Sequence, residues 1–322
     1  MTLPTVLMTD VIRSSQQGNS HGGAYLINLQ SGSFDKVLDW NTTEIDWQGR
    51  GMGRGLRGIC FVGEEIYIAA SDELFVFDQS FSTIRSHRCK HLHHCHEICY
   101  DGTRYIYLSS TSFDSVLRFD THSGVFDIAW WIHPVVKTIR GKRTRVLGAK
   151  PYDPNGSSGP KLNDTLHINN VSMHAGDVHF SGLKMGVFLR LKDNTLTPVA
   201  ATPPMTHNCM VGGGGVVMNS TGRDAAVIQT PKGELVSSFE YPRYEREELM
   251  NADIPGDFAR QAFGRGLCLD GSRGLLIAGS SPGTVTAFDL DTGDRVQSVC
   301  VTRDLRNAPH GLEIWPYTER ST

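Results

Sequence analysis

Short apolar segments recur six times along the chain, and most of them end in turn residues. Each segment alternates apolar and polar positions or is continuously apolar, a pattern typical of β-strands. The most regular segments read IYIAAS from Ile66, YIYLSST from Tyr105, VHFSGL from Val178, VVMNST from Val216, LLIAGS from Leu275 and VLMTDV from Val6. A further strand-like segment follows each one, so the chain is predicted to be built from repeated β units.

A third strand-like segment precedes the others in each repeat. These first segments begin at Arg57, His96, Asn169, His207, Arg265 and His310. The one from His310 lies at the C-terminus, whereas the segments that complete its repeat lie at the N-terminus. A propeller closes its ring in this way and leaves no exposed sheet edge. We therefore predict an all-β, six-bladed β-propeller, closed by pairing N-terminal strands with the C-terminal strand.

The repeat spacing predicts a single propeller domain over residues 1–322, with insertions near 124–164 and 242–261. The first insertion ends in a Pro-, Gly- and Ser-rich loop, and we expect it to cover a binding site. The second is expected to form a short helix and a loop. Hydrophobic residues make up 39% of the chain, which is enough to bury a core, and 34 glycines suit a fold with many tight turns.

Charge and hydropathy exclude two classes of partner. The formal net charge is −3, which gives no reason to expect nucleic-acid binding. The longest apolar stretch, VFDIAWWIHPVV, is interrupted by Asp127, His133 and Pro134 and is too short to span a membrane. The first ten residues lack the features of a secretory signal, and the seven cysteines are an odd number. We therefore expect reduced thiols and a cytoplasmic protein.

Histidines recur where the first strand of a repeat begins. The innermost strand of a propeller blade runs along the central channel, so the first residue of each such strand is expected at the channel mouth. His96, His207 and His310 occupy this position, and His167 lies two residues before Asn169, on the same side of its strand. Neutral imidazole is a common ligand of Fe, Zn and Cu. We therefore predict a metal site formed by these four histidines.

Other residue types complete the predicted mouth. Arg57 and Arg265 occupy equivalent positions, and a guanidinium pair suits either salt bridging or bidentate binding of a carboxylate or phosphate. We assign them the catalytic role of holding an anionic substrate. The further side chains expected to line the channel are those of His94, Asn169 and Cys209. Strand alternation predicts that Glu97 and Glu313, each directly after a ring histidine, point away from the channel.

Four motifs carry a resemblance to a known family. The chain resembles an uncharacterised family of bacterial β-propeller proteins at HE-I from His96, LHINNVSMHAGDVHFSGL from Leu166, HN at His207 and GRGL around Arg265. The resemblance covers about residues 54 to 293 and implies a propeller, but no reaction. The expected four-histidine site is also similar to that of the propeller carotenoid-cleavage oxygenases, which implies Fe(II), with Zn or Cu as alternatives.

These features favour one function and leave two others open. The first is a metal-dependent enzyme, an Fe(II)-type oxygenase or oxidase acting on a small anionic molecule in the channel. The second is a Ca- or Zn-dependent hydrolase or lyase of the lactonase or strictosidine-synthase type, whose sites depend on inward Glu, Asp and Asn side chains. The third is a non-catalytic propeller that binds a protein. The substrate, the metal and the oligomeric state stay open.

Overall fold

The computed structural model describes residues 2–16, 18–41, 55–139, 141–253 and 260–317. Within these residues the strands form six antiparallel sheets, and the innermost strand of each sheet contacts the innermost strands of its neighbours in a ring. The predicted six-bladed β-propeller is confirmed. No helix in the described ranges is long and apolar enough to cross a membrane.

Each blade takes its strands consecutively from the chain, except the last. Blade 1 holds β4 to β7, blade 2 β8 to β12, blade 3 β13 to β16, blade 4 β17 to β20, blade 5 β21 to β24, and blade 6 is ordered β25-β1-β2-β3. The strand bounds are β1 Thr5–Ile12, β2 Gly22–Asn28, β3 Ser33–Asp39, β4 Ile59–Val62, β5 Glu65–Ala69, β6 Leu74–Phe77, β7 Thr83–His87, β8 Ile98–Tyr100, β9 Tyr105–Ser110, β10 Ser115–Asp120, β11 Val125–Ile139, β12 Lys142–Tyr152, β13 Ile168–His174, β14 Asp177–Gly182, β15 Val187–Lys192, β16 Thr195–Ala201, β17 Thr206–Gly212, β18 Gly215–Ser220, β19 Ala225–Gln229, β20 Leu235–Glu240, β21 Gly264–Asp270, β22 Leu275–Ser280, β23 Thr284–Asp289, β24 Arg295–Cys300 and β25 Asn307–Ile314.

Blade 6 closes the ring as the sequence predicts. β25 pairs with β1 from Ile314 opposite Val6 to Asn307 opposite Ile12. A buried carboxylate reinforces this pairing: Asp10 accepts hydrogen bonds from the Gly23 amide at 2.6 Å and from Asn307 Nδ2 at 2.6 Å. Because these donors lie on β2 and β25, one side chain ties both neighbours of β1 together.

The hydrophobic core lies between blades rather than in one central mass. The side chains of adjacent sheets interdigitate, for example Val6, Ile277 and Leu312 where blade 5 meets blade 6. The outermost strands are much more exposed, and they escaped the sequence analysis because a half-solvated strand has a weak apolar pattern. In blade 2 the outermost position is taken by the β11–β12 hairpin, which forms most of the first predicted insertion.

The two insertions differ in structure. Beyond β12, the chain returns towards the channel: the Asn163 amide donates to the Ser112 carbonyl oxygen, and His167 follows shortly after. The hairpin itself sits at the outer edge of blade 2, beside β16, so only the returning part of this insertion approaches the mouth. The second insertion contains a single 3₁₀ turn at Arg246–Glu248, and residues 254–259 lie outside the described residues.

The ring closure yields a first prediction. Asp10→Ala leaves the Gly23 amide and the Asn307 side chain without their buried acceptor, so we expect a loss of about 2–3 kcal/mol in the free energy of unfolding. Asp10→Asn retains an acceptor for Gly23 and is the matched control, with a loss of under about 1 kcal/mol. Urea denaturation measures both. A loss for the alanine variant no larger than that for the asparagine variant would contradict this role.

Candidate active site at the channel mouth

Bulges in the innermost strands set the geometry of the mouth. In blade 4, His207 pairs with Asn219 and Cys209 with Met218, which leaves Asn208 between them without a strand partner. In blade 3 the register shifts in the same way at Asn169. An extra residue in a strand breaks the simple alternation of side chains. Consecutive residues can therefore both face the channel.

The structure brings the predicted histidines together. The ring centroid of His96 lies 4.5 Å from that of His94, 5.3 Å from that of His167 and 6.1 Å from that of His310. The centroids of His94 and His167 are 5.9 Å apart. His207 belongs to the same cluster, because the charges of Arg265 and His167 act on its pKa. Four imidazoles from blades 2, 3 and 6 thus meet at one end of the channel, and that of His207 in blade 4 lies nearby, with its ring centroid 5.4 Å from that of Phe263.

Hydrogen bonds fix the tautomer of three of these rings. Since a carbonyl oxygen or a carboxylate can only accept, the ring nitrogen facing it must carry the proton. His96 Nδ1 donates to the His94 carbonyl oxygen at 3.1 Å, and His310 Nδ1 donates to that of Ala308 at 2.9 Å. His167 Nδ1 lies 2.8 Å from Asp164 Oδ1. Each ring therefore keeps its Nε2 lone pair for another partner.

A threonine supports His96 from behind. Thr111 Oγ1 donates to the Ile168 carbonyl oxygen at 2.6 Å and lies 2.8 Å from His96 Nδ1, so it accepts the proton of His96. Because Ile168 directly follows His167 in the chain, this bond also connects two histidine-bearing blades. The orientation of His96 is thus held by an element outside its own strand.

Both predicted arginines lie in the cluster and are buried. Arg265 Nη1 lies 2.9 Å from His310 Nε2, which accepts its proton, and the guanidinium carbon of Arg265 lies 4.8 Å from the ring centre of Phe263. Arg57 Nη1 donates to the Cys95 carbonyl oxygen at 3.3 Å. Burial, aided by the charge of Arg13, lowers the pKa of Arg57 to about 10, so it is still charged at neutral pH.

The histidines are neutral at physiological pH. Burial, followed by the charge of Arg57, lowers the pKa of His94 to about 2 and that of His96 well below its usual value. Burial and Arg265 do the same for the pKa values of His207 and His310. Burial also lowers the pKa of His167, against the opposing influence of Asp164. The positive charge of the mouth therefore comes from arginines, and the imidazoles present lone pairs.

Cys209 and Asn169, both expected to line the channel, have different surroundings in the structure. Cys209 is fully buried in the apolar core with Val216 and Met218, because the bulge at Asn208 turns it away from the channel. Asn169 is the extra residue of blade 3: its Nδ2 donates to the Thr206 carbonyl oxygen at 3.3 Å, and its Oδ1 has no partner among the described residues. The expectation that Cys209 lines the mouth is therefore corrected.

The expected orientation of Glu97 and Glu313 is also corrected. Both line a cavity in the lower part of the channel, below the histidines. Glu97 Oε2 accepts from Asn208 Nδ2 at 2.7 Å, across the ring from blade 2 to blade 4. Alternation along a regular strand predicted the opposite. For Glu313 the reason is an extra residue in β25, where the register shifts between Pro309 and Leu312.

Sequence analysis missed three residues of the site: Asp164, Thr111 and Arg13. Asp164 ends the first insertion, three residues before His167, and that spacing was the available signal. Thr111 lies on a 3₁₀ turn, and Arg13 follows β1. Thr111 belongs to the same blade as His96 but follows it by 15 residues, and Arg13 belongs to blade 6, so no local pattern could reveal them.

The imidazole nitrogens at the mouth are donors that transition metals bind, but among the described residues their positions do not form a complete metal site. Nδ1-anchored, neutral imidazoles are the form in which histidine binds metals, and Asp164 behind His167 is a common supporting arrangement. However, His310 Nε2 is already engaged by Arg265. In the described part of the chain, no three His, Cys, Asp or Glu side chains form a group that could hold an ion.

Comparison with known proteins supports the fold alone. No family model matches the chain, and none of the curated proteins matches it. Among solved structures, a nidogen/laminin complex contains a chain with a TM-score of 0.56 and 10% identity, covering 96% of this chain and 97% of that chain. Virginiamycin B lyase from Staphylococcus aureus gives a TM-score of 0.47 at 10% identity, covering 77% and 71%. The chain is thus similar to other propellers in architecture.

The neutral histidines predict a loss of stability in acid. Below pH 6.5 these histidines bind protons in the unfolded chain but not in the folded protein, because burial lowers their pKa values at the mouth. The free energy of unfolding therefore decreases as the pH falls. Between pH 6.5 and 5 this amounts to about 2 kcal/mol for His94. We expect His94→Asn to reduce the fall in unfolding free energy between pH 7 and pH 5, measured by urea denaturation.

The matched control is His122→Asn, since His122 lies in an exposed turn of blade 2. A fall in stability that is the same in His94→Asn as in the wild type would show that His94 does not stay neutral in the folded protein.

Proposed function

We propose that the channel mouth is the active site of an enzyme that transfers a proton to or from a small anionic molecule. Arg57 and Arg265 bind the anionic group, and His167, oriented by Asp164, is the general base. The observation that carries this proposal is the hydrogen bond of 2.8 Å between Asp164 and His167, a partly exposed pair whose imidazole is close enough to the buried Arg265 for that charge to add to the effect of burial in lowering its pKa.

Charge favours an anion at this position. Arg13, Arg57 and Arg265 all lower the pKa of His310, so their positive charges act on one volume. Guanidinium groups this close repel one another, and a bound carboxylate or phosphate would offset that repulsion while accepting two parallel hydrogen bonds from each fork. Because the histidines are neutral, they add hydrogen-bonding capacity without adding charge.

The Asp164–His167 pair suits proton transfer. The carboxylate holds the proton on Nδ1, so Nε2 carries the lone pair that accepts a proton from the substrate. The imidazolium formed in that step is stabilised by Asp164, as an orienting carboxylate does in other histidine-dependent sites. Both Asp164 and His167 have positive φ, at 44° and 52°, a left-handed conformation in which Asp and His are enriched among non-glycine residues.

This proposal predicts separable effects of two substitutions. Arg265→Gln is expected to weaken binding of an anionic ligand by about tenfold or more, because a charge-assisted hydrogen bond is lost. His167→Gln is expected to leave binding within about threefold and to slow turnover by about 10²–10⁴-fold, on the order expected for loss of a general base. The matched control is Arg295→Gln, on the exposed outermost strand of blade 5.

The measurement starts from a panel of small carboxylates and phosphates, with binding followed by ligand-observed NMR. Turnover is followed in D₂O, where proton abstraction from carbon replaces a C–H signal of the bound anion by deuterium. Anions that bind Arg265→Gln as well as the wild type would overturn the assignment of the arginines. Full turnover in His167→Gln would overturn that of the base.

A metal-dependent enzyme is the second candidate, favoured by the Nδ1-anchored rings. His96, His167, His207 and His310 would hold the ion, Fe(II) first and Zn or Cu as alternatives, once Arg265 releases His310. The metal would supply Lewis-acid or oxygen chemistry to a substrate held by the arginines.

Elemental analysis of protein purified without a histidine tag tests this candidate. We expect about one equivalent of a transition metal in the wild type. The metal should be lost in a His96→Ala/His310→Ala variant and retained in His122→Ala. Less than about a tenth of an equivalent, even after anaerobic reconstitution, would exclude it.

A further inference from the structure

A second chamber lies in the channel below the mouth. It is a cavity of about 280 Å³, walled by the later residues of five innermost strands. Its walls are about equally polar and apolar, and solvent reaches several of them, including Met210 and Glu313, which are partly exposed. The side chains that line it include those of Val171, Met173, Met210, Leu267, Leu312 and Glu313.

A hydrogen bond between Glu97 and Asn208 lies at the end of this chamber that is nearer the mouth, since each residue directly follows a histidine of the mouth. Glu97 reaches from blade 2 and Asn208 from blade 4, so their hydrogen bond of 2.7 Å crosses the channel. Asn208 is itself held in place, because its Oδ1 accepts from Asn219 Nδ2 at 3.0 Å and from the Gly266 amide at 3.0 Å. None of the described arginines or histidines of the mouth lines the lower cavity, so its chemistry is distinct from that of the mouth.

Glu313 and Glu97 are the acidic groups of this cavity, whose polar lining also includes Asn170, Ser172 and Asn208. Among the described residues, no hydrogen-bond donor and no cation lies within bonding distance of the Glu313 carboxylate, and burial raises its pKa to about 8. A carboxylate in apolar surroundings without a partner is costly, and a cation is the partner that removes this cost. The other titratable groups facing this region are Glu97 and the thiols of Cys60, Cys99 and Cys268, none of which brings positive charge.

The walls select among cations. A metal ion is disfavoured, since no group of three His, Cys, Asp or Glu side chains in the described ranges could hold one. Apolar side chains such as Val171, Met210 and Leu267 would instead pack against methylene groups. A volume of about 280 Å³ admits a short chain and excludes a large ring system.

We propose that the lower cavity binds a primary alkylammonium ion, with its ammonium group on the Glu313 carboxylate and its unbranched alkyl chain along Val171, Met210 and Leu267. This site shares no described lining residue with the proposed active site. The channel thus binds an anion at its mouth and an organic cation in its lower half.

Calorimetric titration of the full chain with butylammonium chloride tests this site. We expect saturable binding to the wild type, weakened about tenfold or more in Glu313→Gln, which retains the shape of the side chain but cannot be charged. Methylammonium should bind about tenfold or more weakly than butylammonium, because three methylene groups are no longer buried. Butanol should not compete. The matched control is Glu240→Gln, on the outermost strand of blade 4.

Two further measurements distinguish amine binding in the lower cavity from binding at the mouth and from a folding defect. Arg265→Gln should bind butylammonium with the affinity of the wild type. The test of amine binding in the lower cavity therefore does not depend on whether the arginines of the mouth bind an anion. Glu313→Gln is checked by thermal denaturation at pH 7 and is expected to be about as stable as the wild type, because burial raises the pKa of Glu313 to about 8 and its carboxyl is mostly uncharged at that pH, as the amide is. Equal butylammonium affinity in the wild type and in a folded Glu313→Gln, or no saturable binding to the wild type, would overturn the proposal.

Discussion

The pairing of β25 with β1 is the constraint on which the rest of the molecule depends. It joins the two ends of the chain into one sheet and fixes the sixth blade, without which the other five have an open edge. Asp10 strengthens this junction from a buried position by binding both neighbouring strands. The channel and both of its chambers exist only because the ring is closed.

Close approach of the innermost strands then decides which residues can face the channel. A Cβ atom on Gly311 would lie 2.3 Å from the Arg57 carbonyl oxygen, and one on Gly58 would lie 2.5 Å from the Ile98 amide. Only glycine fits at these two positions. The blades that carry Asn208 and Glu97 at the equivalent place use those side chains to cross the channel instead.

Electrostatics divides the channel along its axis. At the mouth, burial and arginine charges lower the pKa of the imidazoles and keep them neutral; below Asn208, burial raises the pKa of Glu97 and Glu313. Positive charge therefore dominates one chamber and acidic groups the other, and each favours a ligand of opposite sign. Burial in the protein interior shifts the pKa values in both chambers, and it therefore contributes to the preference of each chamber for a ligand of opposite charge.

The sequence by itself determined the blade number, the ring closure and the convergence of His96, His167 and His310, because repeat position maps directly onto position around a closed ring. It did not determine the orientation of Cys209 or Glu313, since one extra residue in a strand inverts the side chains beyond it. It also did not show that Glu97 would bond to Asn208 of blade 4. Nor could it identify Asp164, Thr111 or Arg13 as neighbours of the histidines. Those contacts join separate blades or loops, and only tertiary packing sets the distances between them.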